Sequence, residues 1–268
     1  MRVFAIPILR NHWAYYCHSN IQSTSRLARA VDWSSKKWDQ LGSAEPNTWK
    51  RKLYDGGTRL MNQLDYQEWF LKNVPTKEDI KDNESKVHVC FPSILNASDI
   101  QQDLEKLLKE REPYHKKYMY YSAYWVPISC TFVIVPLIPN IPLAYNLFRW
   151  YSHYKAYKGA QLLGSASGNN SLVYETLPEL DKLLEQTDFV DGDQVVFPDE
   201  IYRLLSESKI PNLQHILHDS IPGVLEPESI VKISHHFESP GMEVELKRAR
   251  FQILANLAKK RIAQQSQH

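Results

Sequence analysis

The sequence predicts a mainly α-helical chain: a membrane-anchored helical hairpin, preceded by an N-terminal aromatic and basic section and followed by a C-terminal soluble helical domain. Three observations predict it. From Tyr118 to Phe148, 31 consecutive residues include no Asp, Glu, Lys, Arg or His. Pro136, Pro139 and Pro142 interrupt that stretch, and basic residues flank both its ends. Beyond residue 174, apolar residues recur at helical spacing.

Composition sets outer bounds. With 268 residues, 43% hydrophobic and 24% charged, the chain is long enough to bury a substantial core and close to the globular average. A mean hydropathy of −0.45 is too polar for a many-span membrane bundle. The formal net charge of +1 provides no global field for nucleic acid, so electrostatic function must be local. Cys17, Cys90 and Cys130 are scattered and form no CxxC pair, which suits a reducing compartment. All seven Trp lie at or before Trp150.

Residues 1–75 form the N-terminal section. Its first acidic residue is Asp32, preceded by Arg2, Arg10, Arg26, Arg29 and several Ser, a composition resembling a mitochondrial transit peptide. Arg2 to Ile8, however, has the apolar run of a short buried strand. Trp33, Trp38 and Trp49, followed by Lys50, Arg51 and Lys52, suit either an interfacial helix or a helix that buries its Trp residues, with a turn at Gly56-Gly57. Residues 76–97 read as a linker, which a polar patch from Pro75 to Lys86 opens. A charged helix over 98–117 follows, capped by Ser98, with Ile100, Leu104, Leu107 and Leu108 on one face.

Residues 118–158 are the expected hairpin. As one helix the charge-free stretch would measure roughly 46 Å against a hydrocarbon core of about 30 Å. The prolines divide it into one arm from Tyr118 to Val135, which includes Pro127, and a second starting near Leu143. Pro136, Pro139, Asn140 and Pro142 make the turn, with Asn140 able to satisfy backbone groups at the tip. Lys116 and Lys117 before the stretch, and Arg149 and Lys155 after it, put both ends on one side of a bilayer. Residues 159–173 read as a Gly/Ser linker and 174–268 as a soluble helical domain. Its helices are marked by Leu177, Leu180, Leu183 and Leu184; by Ile201, Leu204 and Leu205; by Ile230, Val231 and Ile233; and by a long last segment from Met242 to Gln264.

No phosphate-binding loop, dinucleotide fingerprint, HExxH or GxSxG is present, so no enzymatic activity is expected. His215 and His218, and the adjacent His235 and His236, have no Cys nearby, so no metal site and no cofactor are expected. Several segments nonetheless resemble one family, the mitochondrial potassium/proton exchange-related proteins. They are MRVFAIPI, TWKRKLYDGG, Tyr66-Gln67-Glu68-Trp69 with Leu71, Lys72 and Pro75, YHKKYMYYSAYWVP, VPLIPNIP and YNLFRWYSHYKAYKGA. The resemblance covers residues 1 to about 160 and departs from the family pattern at Asp65 and Phe70, which flank the Tyr-Gln-Glu-Trp segment.

That resemblance implies a place in the mitochondrial inner membrane and a part in potassium/proton exchange and ion homeostasis. It implies a process rather than a mechanism. An exchanger needs a titratable group near the bilayer midplane, and Tyr118 to Phe148 has none. An auxiliary or regulatory role is therefore expected ahead of an oligomeric antiporter or a membrane-anchored assembly factor. The expected partners are the lipid bilayer, a second copy or an inner-membrane protein, and potassium and protons as possible transported ions, with no nucleic acid. The candidate proton-sensing or membrane-interface residues are His115, Lys116, Lys117, Arg149, His153 and Lys155. Arg149 and His153 lie four apart on one helical face, and His115 at the other mouth of the hairpin is the candidate partner of His153.

Overall fold

The computed structural model describes residues 1–19, 45, 48, 51–52, 64–77, 86–130, 141–206, 217 and 219–265. Strand β1 (Arg2–Leu9) buries every residue from Val3 to Leu9, the pattern of a strand covered on both faces. It turns into β2 (His12–His18), which pairs antiparallel with it. The register shifts between Pro7 and Leu9, a bulge that accommodates a proline within the strand. Two short strands, β3 (Val87–Phe91) and β4 (Leu172–Thr176), complete a four-stranded sheet of order β2-β1-β3-β4, with β1/β3 and β3/β4 parallel.

Alternation along β1 builds two cores. Val3 and Ala5 face one cluster with Tyr15, Phe70, Leu71, Ile100, Leu104 and Leu163. Phe4, Ile6 and Ile8 face the other, which holds Leu180, Ile201, Ile230, Ile233, Leu246 and Leu254. The sheet is thus the middle layer of three. On one side lie α1 (Tyr66–Asn73), α2 (Ala97–Cys130) and α3 (Ile141–Gly168). On the other lie α4 (Pro178–Leu184), α5 (Asp199–Ser206), α6 (Pro227–His236) and α7 (Pro240–Gln265).

In the C-terminal layer, proline sits in the first turn of α4, α6 and α7, where its missing N–H costs nothing. Arg250 of α7 is 2% exposed and donates to the backbone carbonyls of Leu217, Asp219 and Leu225. Three carbonyls replace the hydration of a buried guanidinium and tie the loop before α6 to α7.

The helical hairpin forms: Ser167 approaches Glu105, His153 meets His115 and Asn146 donates to Ser129, so α2 and α3 run antiparallel. Its expected membrane anchoring is corrected. Among the described residues no helix is long and apolar enough to cross a membrane. The charge-free stretch starts two-thirds of the way along α2 and ends within the first turns of α3. Its described parts, 118–130 and 141–148, measure roughly 20 Å and 12 Å as helix, short of the ~30 Å of hydrocarbon. The fold class is therefore a mainly helical one organised around a four-stranded sheet.

Local expectations shift too. The charged helix and the described part of the first arm, up to Cys130, are one helix, α2, which continues through Pro113 and Pro127. Its first turn is capped by Asn96, whose Oδ1 accepts from Ser98 N at 3.2 Å, not by Ser98. Residues 159–168, read from composition as a linker, extend α3, because Gly159 packs on the end of α1 and Ala160 and Leu163 join the core on that side of the sheet. The residues after them form β4, a strand absent from the sequence reading. Pro142 lies in the first turn of α3. Pro136, Pro139, Asn140, His215, His218 and the Trp33, Trp38 and Trp49 block lie outside the described residues.

Candidate functional site

The site grows from α1. Asp65 caps that helix, its Oδ1 accepting from Gln67 N at 2.9 Å, and Val74 with Pro75 ends it. Eight residues then link three helices. On α2, Arg111 donates to Asp65 and Gln67. On α7, Gln252 donates to the Leu64 carbonyl at 2.8 Å and accepts from Tyr66 N at 3.0 Å. Trp69 lies between two cations, Lys72 at 4.0 Å and Arg248 at 4.5 Å from its ring centre. The two departures from the family pattern thus carry structure: Asp65 is the cap, and Phe70 packs against Tyr15.

The remaining face of α1 carries Glu68, 3% exposed. Arg149 of α3 donates to both its carboxylate oxygens, at 2.7 and 3.3 Å, and Ser152 Oγ donates at 2.7 Å. The same guanidinium lies 2.8 Å from His153 Nε2. Arginine only donates, so His153 Nε2 accepts and its proton is on Nδ1. That Nδ1 is 3.0 Å from His115 Nδ1, which must therefore accept, leaving the His115 proton on Nε2. His115 Nε2 is buried without a partner among the described residues. Tyr118 stacks on the His153 ring and Tyr114 meets His115 edge-on.

Burial dictates the protonation states. It pushes His115 down to about 3, and burial together with the neighbouring Arg149 pushes His153 down to about 4. Burial alone would raise the Glu68 carboxyl, but Arg149, Ser152 and His153 outweigh it and hold it below its ordinary value. At neutral pH the cluster is an ion pair joined to two neutral imidazoles. Burial also lowers Lys72 to about 8.

Stability follows with a definite sign. An unfolded histidine takes up a proton near pH 6.5, whereas these two hold off until about pH 3 to 4. Below about pH 6.5 the unfolded chain therefore binds more protons, and stability, complete above that pH, falls as pH is lowered. Glu68 acts in the same direction below its ordinary range. Between pH 7.5 and 5 each of the two histidines costs about 2 kcal/mol, about 4 kcal/mol together. Thermal melts should show this loss in the native chain. The His115→Gln/His153→Gln double variant should lose about 4 kcal/mol less over the same interval.

Glu68, His115 and His153 each bring a potential ligand atom within 4.8 Å of the others, a spacing a metal ion can use. The Arg149 guanidinium already bonds two of the three and supplies the positive charge there. Of the candidate residues, the structure brings together His115, Arg149 and His153. Lys116 and Lys117 are exposed, Lys155 is half-buried elsewhere on α3, and Pro127 is exposed on α2. Glu68 and Ser152 were missed as functional residues. Glu68 sits on the stripe Leu64, Glu68, Leu71, where a carboxylate in an apolar face signals a buried partner.

A family model described as mitochondrial K⁺–H⁺ exchange-related matches residues 2–166, more than half the chain and every residue of this cluster. The chain belongs to the mitochondrial K⁺–H⁺ exchange-related family. The family portion spans β1 through most of α3, so the packing of α1 on the hairpin lies within it and the helices after β4 lie beyond it. A Schizosaccharomyces pombe relative, uncharacterized protein C23H3.12c, is 24% identical over 198 residues, covering 72% of this chain and 86% of its own length. A Saccharomyces cerevisiae relative, uncharacterized protein YDL183C, is 28% identical over 199 residues, 62% of each chain. No solved structure matches the chain. The family name ties the chain to mitochondria and to potassium/proton exchange.

Proposed function

We propose that this chain is an auxiliary or regulatory component of potassium/proton exchange at the mitochondrial inner membrane, not the exchanger itself and not an enzyme. One observation carries the reading. An exchange site must release its cation to either side, yet the place a K⁺ ion would take, between Glu68 and the two imidazoles, holds the guanidinium of Arg149, fixed covalently to α3. The cluster is thus a self-neutralised joint between α1 and the hairpin, whose protonation state is coupled to the packing of both helices. The family's link to the process supports the setting.

Reconstitution tests it. Proteoliposomes holding only this chain should show no K⁺-dependent proton flux above empty vesicles. Mitochondria lacking the chain should show slowed K⁺-driven swelling that the native chain restores. Flux from the purified chain alone would assign it the exchange.

A further inference from the structure

Helix α2 carries two seams. His115, Ser122 and Ser129, seven apart, are buried against α3. Beside them run Tyr114, Tyr118, Tyr121, Trp125 and Ile128, spaced 4-3-4-3, and every one is exposed, by 39 to 52%. A 4-3 repeat of large apolar residues is the spacing with which one helix receives another. Where this stripe meets α3 there is a cleft of about 460 Å³ lined by Lys117, Tyr118, Tyr121, Ser122, Trp125 and Asn146.

Charge narrows the occupant. From Pro113 to Tyr174 the chain contains no Asp or Glu, while Lys116, Lys117, Arg149, Lys155 and Lys158 are all basic. Arg149 is neutralised by Glu68, and Lys116 and Lys117 are exposed beside the stripe, with Lys117 5.7 Å from the Tyr121 ring centre. A second copy docking through Tyr121 and Trp125 would set lysine against lysine, because the nearest carboxylates of α2, Glu110 and Glu112, lie beyond the Tyr114 end of the stripe. Hydrocarbon would suit it poorly too: of the nine exposed large apolar side chains described on α2 and α3, six are tyrosines, whose hydroxyls need partners.

We infer that this stripe is the docking groove for a single amphipathic helix of a partner protein, apolar along its centre and lined with Asp and Glu along its edge. Tyr121 and Trp125 fill its seam as anchors, and Lys117 pairs with the acidic edge. This goes beyond the ion-exchange reading and stands without it, since the groove would be occupied whether or not the partner moves ions.

Photocrosslinking with the full chain in mitochondria tests it. Benzoylphenylalanine replaces Tyr121, and in a control it replaces Val244, which is exposed on α7. The expected adduct from position 121 maps to a segment of a different protein with apolar residues three and four apart and Asp or Glu beside them. The synthetic peptide of that segment should bind the purified native chain. Trp125→Glu and Lys117→Glu should each weaken it by about tenfold or more at unchanged melting temperature; should Trp125→Glu fail to fold, Tyr121→Ser takes its place. Adducts only with a second copy, only with lipid, or with a segment lacking that pattern would overturn the inference, as would position 121 crosslinking no more than position 244. So would binding to vesicles containing cardiolipin that Trp125→Glu abolishes.

Discussion

Arg149→Met should lower the unfolding free energy by about 3 kcal/mol, because it leaves Glu68 ionised and buried without its partner. The guanidinium makes three of the cluster's contacts, two to Glu68 and one to His153, and Met fills similar volume without replacing any of them. Adding Glu68→Gln removes the stranded charge, so the double variant should recover more than half of the loss. Urea unfolding of the single variants and the double variant measures the coupling directly. Additive losses would mean that the two side chains do not depend on each other.

Gly159→Ala should cost a similar amount, about 3 kcal/mol, for a purely steric reason. A Cβ at residue 159 would overlap the carbonyl oxygen of Leu71 and stand 3.0 Å from Val74 Cβ. Both belong to the end of α1, where backbone cannot move aside as a flexible side chain would. In an open helix the same change would stabilise by up to about 1 kcal/mol, and at Gly164, where nothing lies within 4 Å of a Cβ, it should. The opposite signs at two glycines of one helix, read from thermal melts, isolate the close approach of α1 to α3.

The sequence made some of this legible. Apolar spacing located α4, α5, α6 and α7, and the run from Arg2 to Ile8 carried the strand alternative for β1. Strands β3 and β4 were not legible, because each is five residues long and begins within an expected linker, 76–97 or 159–173, where the alternation is too short to stand out. The hairpin was legible as geometry and misleading as environment. Absence of charge between Tyr118 and Phe148 points to lipid, yet five of the 21 described residues there are tyrosines, all exposed, four on α2 and one on α3.

At the site, Arg149 and His153 were legible from their i, i+4 spacing, and His115 from lying at the opposite end of the charge-free stretch. Glu68 was not. It reaches the other three only through α1 docking on α3, a long-range contact that no local pattern encodes, and two of the small residues that permit the docking, Gly159 and Ala160, fall in the expected linker.

The most direct measurement is ¹⁵N NMR of the histidine rings in the full chain, followed from pH 7.5 to 5. His115 should be neutral with its proton on Nε2 and His153 neutral with its proton on Nδ1, and both should stay neutral throughout, well below the ordinary value of 6.5. Arg149→Met should release the His153 tautomer. Either ring titrating near pH 6.5 in the native chain, or His153 carrying its proton on Nε2, would contradict a closed joint in which Arg149 fills the place of a cation.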